Sequence, residues 1–303
     1  MSAYLLNREA DSLLARPEQA DGATEDRLFA GERYEGKALR RQTFRHCTFA
    51  NVSFKQTTFV DCIFEDCVFI NCYFRKADWK NTKFAATRFI SSDFPSIVVE
   101  NCTFTYTFFD CCFIEPRELR HSLPSAPNLR RDLTANLAMQ AEALGFSDNA
   151  RTYRLWSIKA DEDHLRASWM NEGEWYRKHV PGVARLAAFG RWSASRINGS
   201  IWGHGERVFA LARTFALTSL VIYPTLYYVL RRGFSPVLGR PDATPTFTDF
   251  VFLSLDRILP SAGISVTSPI GSLSRLAVCS EVLIGLVFAG LFVTYLLRSI
   301  TRR

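Results

Sequence analysis

The chain has 303 residues, of which 48% are apolar and 22% charged, and its formal net charge is +7. That length leaves room for two or three domains, and the positive balance favours anionic neighbours: lipid head groups, nucleotides or nucleic acid. No HExxH spacing, no phosphate-cradling glycine loop and no G-x-S-x-G elbow occurs, so the sequence argues against an enzyme and implies no cofactor or metal. The first 25 residues are polar and lack the basic start and apolar core of a secretory signal.

From Phe29 to Ile114 a large residue recurs every five positions, through Phe44, Phe64, Trp79, Phe84 and Phe104. Two residues before most of these stands a small one, such as Cys47, Thr57, Cys62, Cys67, Cys72, Ala77, Thr87, Ser92, Cys102 or Cys112. A period of five fits neither a helix nor a flat strand. It fits a square solenoid in which four repeats close one coil and stacked coils share a core. Six of the eight cysteines fall on the small column, which predicts buried free thiols packed as small apolar groups rather than a disulfide or metal framework. Free thiols suit a cytoplasmic location.

Residues 26–118 resemble the pentapeptide-repeat family, and that resemblance implies a right-handed square β-helix. Some members mimic DNA with an acidic surface. Here Arg40, Arg45, Lys55, Arg75, Lys80 and Arg88 mix with Asp61, Glu65 and Asp78 on the outside, which disfavours mimicry and favours a rigid scaffold.

Residues 119–207 read as a helical region. Leu129, Leu133, Leu137, Ala141 and Leu144 recur at helical spacing up to Gly145, and Asp148 is the expected N-cap of a second helix running to about Met170. The pair is expected to pack on the solenoid end or on a neighbouring subunit, with Asp161, Glu162 and Asp163 on a solvated face. A stretch rich in arginine and aromatics follows. Arg177, Lys178, Arg185, Arg191 and Arg196 either anchor at the cytoplasmic head-group layer or bind an anionic ligand.

Residues 208–303 contain an apolar run over about 209–230, a shorter one over 247–259, a turn at 260–266 and a last apolar run over 276–297. The two longer runs suffice to cross a hydrocarbon layer of roughly 30 Å and the middle one does not. Pro224 is expected to bend the first span, and Gly203-His204-Gly205-Glu206 to form the turn leading into it. The layout resembles the two-span potassium-channel pore. Placing the family's first filter glycine on Gly263 brings its proline onto Pro269, its arginine onto Arg275 and its inner-helix gating glycine onto Gly285. The filter departs: Ser261, Ala262, Gly263, Ile264, Ser265 and Val266 stand where the family has Thr-Val-Gly-Tyr-Gly-Asp, which implies poor potassium selectivity. Two acids, Asp256 and Glu281, lie in the apolar zone and are expected to face the bundle. Glu281 is either hydrogen-bonded to the pore-helix region or a cation-attracting lining residue.

The sequence therefore predicts a multidomain membrane protein. It joins a pentapeptide-repeat solenoid and a helical middle to a two-span pore hairpin, with both termini on the cytoplasmic side of a bacterial inner membrane. The resemblance implies a homotetramer. The expected function is an ion channel gated by its cytoplasmic part and an anionic nucleotide or oligonucleotide, by architecture similar to membrane-depolarising antiviral defence effectors. The alternative is a non-conducting, membrane-anchored scaffold whose solenoid recruits a cytoplasmic partner protein.

Overall fold

A computed structural model describes residues 23–205, 207–235, 244–258 and 267–301. The chain divides into two compact units, Met1–Phe189 and Gly190–Arg303.

In the first unit fourteen three-residue strands, β1 (Ala23–Glu25) to β14 (Phe108–Asp110), wind into a β-solenoid. Strands pair in parallel with the strand 20 residues later, as in Thr43↔Ile63 and Ile63↔Lys83, so four pentapeptides make one coil and pairing begins at Ala23. Three faces form sheets, ordered β1, β4 (Thr43–Arg45), β7 (Ile63–Glu65), β10 (Lys83–Ala85), β13 (Thr103–Thr105); β14, β11 (Arg88–Ile90), β8 (Val68–Ile70), β5 (Thr48–Ala50), β2 (Leu28–Ala30); and β12 (Val98–Glu100), β9 (Asp78–Lys80), β6 (Thr58–Val60), β3 (Ala38–Arg40). The fourth face is a ladder of single bridges, Arg33, Ser53, Tyr73, Asp93 and Phe113. The chain turns each corner at a residue two places after the bulky one, with φ between about +49° and +72°. Asn51, Asp61, Asn71, Asn81 and Asn101 suit that left-handed backbone because their short polar side chains tolerate it.

The core follows from the repeat. Along a face, rings stack on their counterparts one coil away: Phe44 on Phe64 at 5.1 Å between centroids, Phe64 on Phe84 at 5.3 Å and Phe84 on Phe104 at 5.2 Å, while Phe59 and Trp79 meet edge-on. Rings from neighbouring faces meet edge-on, as Phe64 and Phe69 do at 68°. Even the irregular repeat keeps the pattern, with Ile97 and Val99 both buried.

The small column is more than filler. Cys62 donates its S–H to the Leu39 carbonyl at 3.4 Å, Cys67 to Phe44 at 3.4 Å and Cys72 to Phe49 at 3.3 Å. Thr57 and Thr87 do the same with hydroxyls, to Tyr34 at 2.6 Å and Phe64 at 3.2 Å. The column is thus mostly Cys, Thr and Ser because each has one proton to give to a buried carbonyl of the coil below. Burial raises the pKa of Cys62 to about 11 and that of Cys72 to about 12.

Helices close the solenoid: α1 (Pro116–Leu119), α2 (Pro127–Ala143) and α3 (Ser147–Met170). The open edge of β14 meets α2, whose Asn136 accepts from the Phe109 amide at 2.9 Å and donates to the Phe109 carbonyl at 3.0 Å. Gln140 accepts from the Cys111 amide at 2.8 Å. Tyr153 of α3 donates to the Ile114 carbonyl at 2.8 Å, and burial holds its phenol above its ordinary pKa. Of the two places expected for the helical pair, the solenoid end is the one occupied here.

Two local expectations are corrected. Asp148 is not an N-cap, because α3 begins at Ser147 behind Phe146 without a side-chain cap. Phe146 stacks on Phe113 of the last coil at 3.9 Å, and Asp148 sits in the first turn, where its charge complements the positive helix end. Nor is the acidic cluster merely solvated: Asp161 pairs with Arg131 at 3.3 Å and Asp163 with Arg130 at 2.7 Å, tying α3 to α2.

Two helices continue the chain, α4 (Glu174–His179) and α5 (Gly182–Trp202), the latter running into the second unit. Gly203, His204 and Gly205 then adopt positive φ in succession, at 61°, 57° and 79°. A first apolar segment covers α6 (Val208–Leu217), a π-helical turn (Thr218–Ile222) and α7 (Tyr223–Val229). The short helix α8 (Phe247–Ile258) and the long α9 (Ser272–Thr301) complete the unit. Val208–Val229 and Ser272–Leu297 are long and apolar enough to cross a membrane. The first is not a continuous α-helix and α9 extends beyond the expected 276–297 at both ends.

Candidate membrane hairpin and its basic approach

The second unit is built around one small core: Tyr223 and Tyr227 of α7, Phe234, Phe250 and Leu253 of α8, and Ala277 and Val278 of α9. Phe234 meets Phe250 at 5.0 Å and Tyr227 at 5.4 Å, so the short helix is wedged against both long segments.

Pro224 explains the break in the first segment. The Tyr223 amide bonds back five residues to the Thr218 carbonyl. The next bond in that series would come from residue 224, but proline has no N–H to offer the Ser219 carbonyl. Ser254 of α8 supplies the missing donor, its hydroxyl reaching the Ser219 carbonyl at 2.7 Å. Such side-chain rescue is how apolar helices tolerate proline away from water.

Ser254 also contacts Glu281 of α9, which accepts from Tyr227 of α7 as well. Glu281 is 3% exposed and Ser254 and Tyr227 are fully buried. One carboxyl group therefore joins all three helices. A second contact, Tyr223 to Ser280 at 3.1 Å, runs alongside. Asp256 and Arg257 are half-buried near the end of α8.

Beyond α7 the chain is pinned to the segment preceding α9. The Gly233 carbonyl receives the amides of Ile270 and Gly271 at 2.8 and 2.9 Å and the Ser274 hydroxyl at 2.7 Å. Phe234 bridges Pro269, and Ser235 exchanges bonds with Thr267 and Ser268. A Cβ on Gly233 would stand 3.0 Å from the Ser274 hydroxyl and would crowd the side chain that bonds the Gly233 carbonyl. At the start of α8 the Thr246 amide and hydroxyl both donate to the Asp249 carboxylate, each at 2.7 Å. These contacts fix what flanks the turn; the filter-like residues Ser261, Ala262, Gly263, Ile264, Ser265 and Val266 lie outside the described residues.

Among the described residues nothing lies within 4 Å of where a Cβ on Gly285 would be, and Gly285 lines a cavity of about 600 Å³ between α6 and α9. Arg257 and Glu281 line the same cavity, whose walls are otherwise chiefly apolar, including Leu211, Phe215 and Phe288. Among the described residues no cluster of His, Cys, Asp and Glu could hold a metal ion.

The five basic residues of the approach lie on two helices. Arg177 and Lys178 end α4, where Lys178 pairs with Glu174 at 2.7 Å. Arg185 lies near the start of α5 and donates to the Val180 carbonyl at 3.2 Å. Arg191 and Arg196 follow on α5, within the second unit. Sequence reasoning missed Ser254, Tyr227 and Ser219, because a lone serine or tyrosine in an apolar run carries no periodic signal; the proline at 224 was the available clue.

Comparison with known proteins places the first unit. Residues 39–78 match a family described as pentapeptide repeats (9 copies), and residues 62–101 match a second pentapeptide-repeat family (8 copies). No curated protein matches the chain. Among solved structures, trypsin-treated QnrB1, a plasmid-mediated fluoroquinolone resistance protein, is 21% identical over 30% of this chain and 49% of its own, with a TM-score of 0.26. HetL, a pentapeptide-repeat protein involved in heterocyst differentiation regulation from Nostoc sp. strain PCC 7120, is 9% identical over 36% of this chain and 48% of its own, with a TM-score of 0.16. Rfr23, a pentapeptide-repeat protein from the cyanobacterium Cyanothece 51142, is 9% identical over 30% of this chain and 82% of its own, with a TM-score of 0.17. The chain thus spans about half the length of QnrB1 and HetL. Its strand-forming first unit is a pentapeptide-repeat solenoid of about four coils, followed by helices that include two of membrane length.

Proposed function

We propose that the chain is one subunit of an oligomeric, potassium-channel-like ion channel of low selectivity, with its solenoid and helices α1–α5 acting as a cytoplasmic gate. The observation that carries this reading is the short helix α8 wedged between two membrane-length segments and bonded to both through Ser254. A buried polar link with its partners in place rigidifies the elements it joins, which here holds α8 against both flanking segments. One hairpin cannot enclose a pore, so four copies around an axis would complete it. Gly285, unencumbered beside the cavity, is the hinge at which α9 would bend. Arg177 and Lys178 would take a phosphate-bearing regulator such as a nucleotide or oligonucleotide, and depolarisation on that signal suits a role in antiviral defence. Orientation with both termini on the cytoplasmic side of a bacterial inner membrane belongs to the same proposal, as does the absence of catalysis.

Full-length protein in potassium-loaded liposomes tests the reading. Dissipation of the gradient by small cations is expected; sealed vesicles with and without added nucleotides would sink it. Glu281→Gln should leave conductance and cation preference unchanged if the carboxyl is structural, whereas a lining carboxylate would show as lost cation preference.

A second reading, an anchored scaffold that does not conduct, has its own observation. The outward positions of one solenoid face, on β2, β8, β11 and β14, include Leu28, Val68, Ile70, Ile90 and Phe108, with Leu28 and Phe108 each 46% exposed. A face of that kind suits contact with a protein partner. Exchanging residues 208–303 for an unrelated two-span hairpin would preserve activity under this reading and abolish it under the first.

A further inference from the structure

We infer that α5 lies along the surface of an anionic membrane, its apolar stripe sunk among the head groups and its arginines paired with lipid phosphates. This rests on the membrane-hairpin reading and adds to it a lipid partner for the last helix of the proposed gate.

Helix α5 carries Arg185, Arg191 and Arg196 and no acidic residue in its 21 positions. An ordinary solvated helix mixes both signs of charge. On one side Val183, Leu186, Gly190 and Ile197 follow one another at three, four and seven positions, the spacing that keeps residues on one helical face. That face is bare: Val183 is 85% exposed, Leu186 73% and Ile197 60%. An uncovered apolar stripe flanked by arginines only is the pattern of a helix that rests in a bilayer interface, and it complements negative head groups.

The joint that follows gives the geometry its sense. Three successive left-handed residues, Gly203, His204 and Gly205, end α5 and redirect the chain before the first membrane-length segment starts at Val208. Arg213 of α6 reaches back to the Ser200 carbonyl at 3.1 Å and Thr214 to the same carbonyl at 3.3 Å, fixing the turn. Gly199 is packed so closely that a Cβ would stand 2.6 Å from the His204 ring. The end of α5 is thereby held beside the first turns of a segment of membrane length.

The test uses full-length protein lacking its two exposed cysteines, Cys111→Ser and Cys279→Ser. Single cysteines carrying an environment-sensitive fluorophore are placed on the stripe (Val183→Cys, Leu186→Cys, Ile197→Cys), off it (Ala184→Cys, Ser195→Cys) and in the first span (Val221→Cys). Vesicles are made of phosphatidylcholine alone or mixed with phosphatidylglycerol. With phosphatidylglycerol present, stripe labels should be quenched by a lipid-borne nitroxide at least about twofold more than off-stripe labels, and aqueous iodide should show the reverse order. Stripe labels open to iodide, stripe labels shielded from both quenchers as by a second copy or a protein, or equal quenching in both vesicle types would each overturn the inference. The Val221 label separates the two readings. If lipid quenches it while the stripe stays aqueous, only the placement of α5 fails; if lipid does not reach it, the hairpin reading has failed.

Discussion

The solenoid and the hairpin solve the problem of burying apolar surface in opposite ways. In the solenoid the rings from Phe44 to Phe74 are each no more than 2% exposed, and the coil closes on itself within one chain. In the second unit only 22% and 17% of the two membrane-length segments is buried, and Leu283, Leu286 and Val287 are all more than 60% exposed. The first unit completes its own core, whereas the second leaves most of the apolar surface of its two long segments uncovered. The difference extends to polar groups: the solenoid satisfies its backbone with strand ladders and thiol or hydroxyl donors, whereas the hairpin's buried carboxyl depends on side chains from two other helices.

The comparison is broken most forcefully by truncating the column. Phe64→Ala should cost about 3–5 kcal/mol of solenoid stability, read as a lowered thermal midpoint, because a stacked, closed core cannot collapse around the void. Leu283→Ala in the detergent-solubilised chain should barely move the midpoint; an equal loss at both positions would mean that the hairpin too completes its core alone.

Next in size is the solenoid's open edge. Asn136→Ala removes both bonds to Phe109 and should cost roughly 1–3 kcal/mol. It should also promote end-to-end association, measurable by light scattering, because an uncapped edge strand pairs with other chains. A monodisperse and equally stable variant would show that α2 merely covers the edge without bonding to it.

Smaller again is a pH effect confined to the solenoid. Burial favours the neutral thiol, so the folded-state pKa of Cys62 and Cys72 lies above the ordinary 9.0, at about 11 and about 12. The unfolded chain then loses these protons first, so the stability they contribute is complete below pH 9 and is lost as pH rises through 11 to 12. A Cys62→Ala/Cys72→Ala variant should show a shallower alkaline decline in its unfolding midpoint; an unchanged slope would assign the decline to other groups. The smallest effect expected is a gain. Among the described residues the buried Tyr34 hydroxyl has no partner, so Tyr34→Phe should stabilise by about 1 kcal/mol in denaturant titration.

How much was legible differs between the regions for the same reason. The five-residue period placed nearly every core ring of the solenoid, since each bulky residue meets the same environment one coil later. It also marked the cysteines as buried, yet read them as inert filler; their role as donors appears only when the carbonyl 23 residues earlier is seen within reach. Asp148 was misplaced because the local cap preference yields to Phe146, which stacking on Phe113 fixes at the helix start. In the hairpin, hydropathy located the segments and Glu281 stood out as an acid in an apolar run. Its partners Ser254 and Tyr227 were invisible, being 27 and 54 residues away in chain and ordinary in kind.

By itself, then, the sequence determined whatever repeats or alternates: the square solenoid, its column of rings, the two membrane-length segments and the excess of positive charge along α5. Only tertiary structure decided where single polar groups find partners: the Ser219 carbonyl left by Pro224 and taken by Ser254, the Glu281 carboxyl joining three helices, and the solenoid edge closed by Asn136. Periodic burial writes itself into composition because many residues bear the same load. A hydrogen bond between distant positions is a matter of one donor and one acceptor meeting within about 3 Å, and no local pattern encodes that meeting.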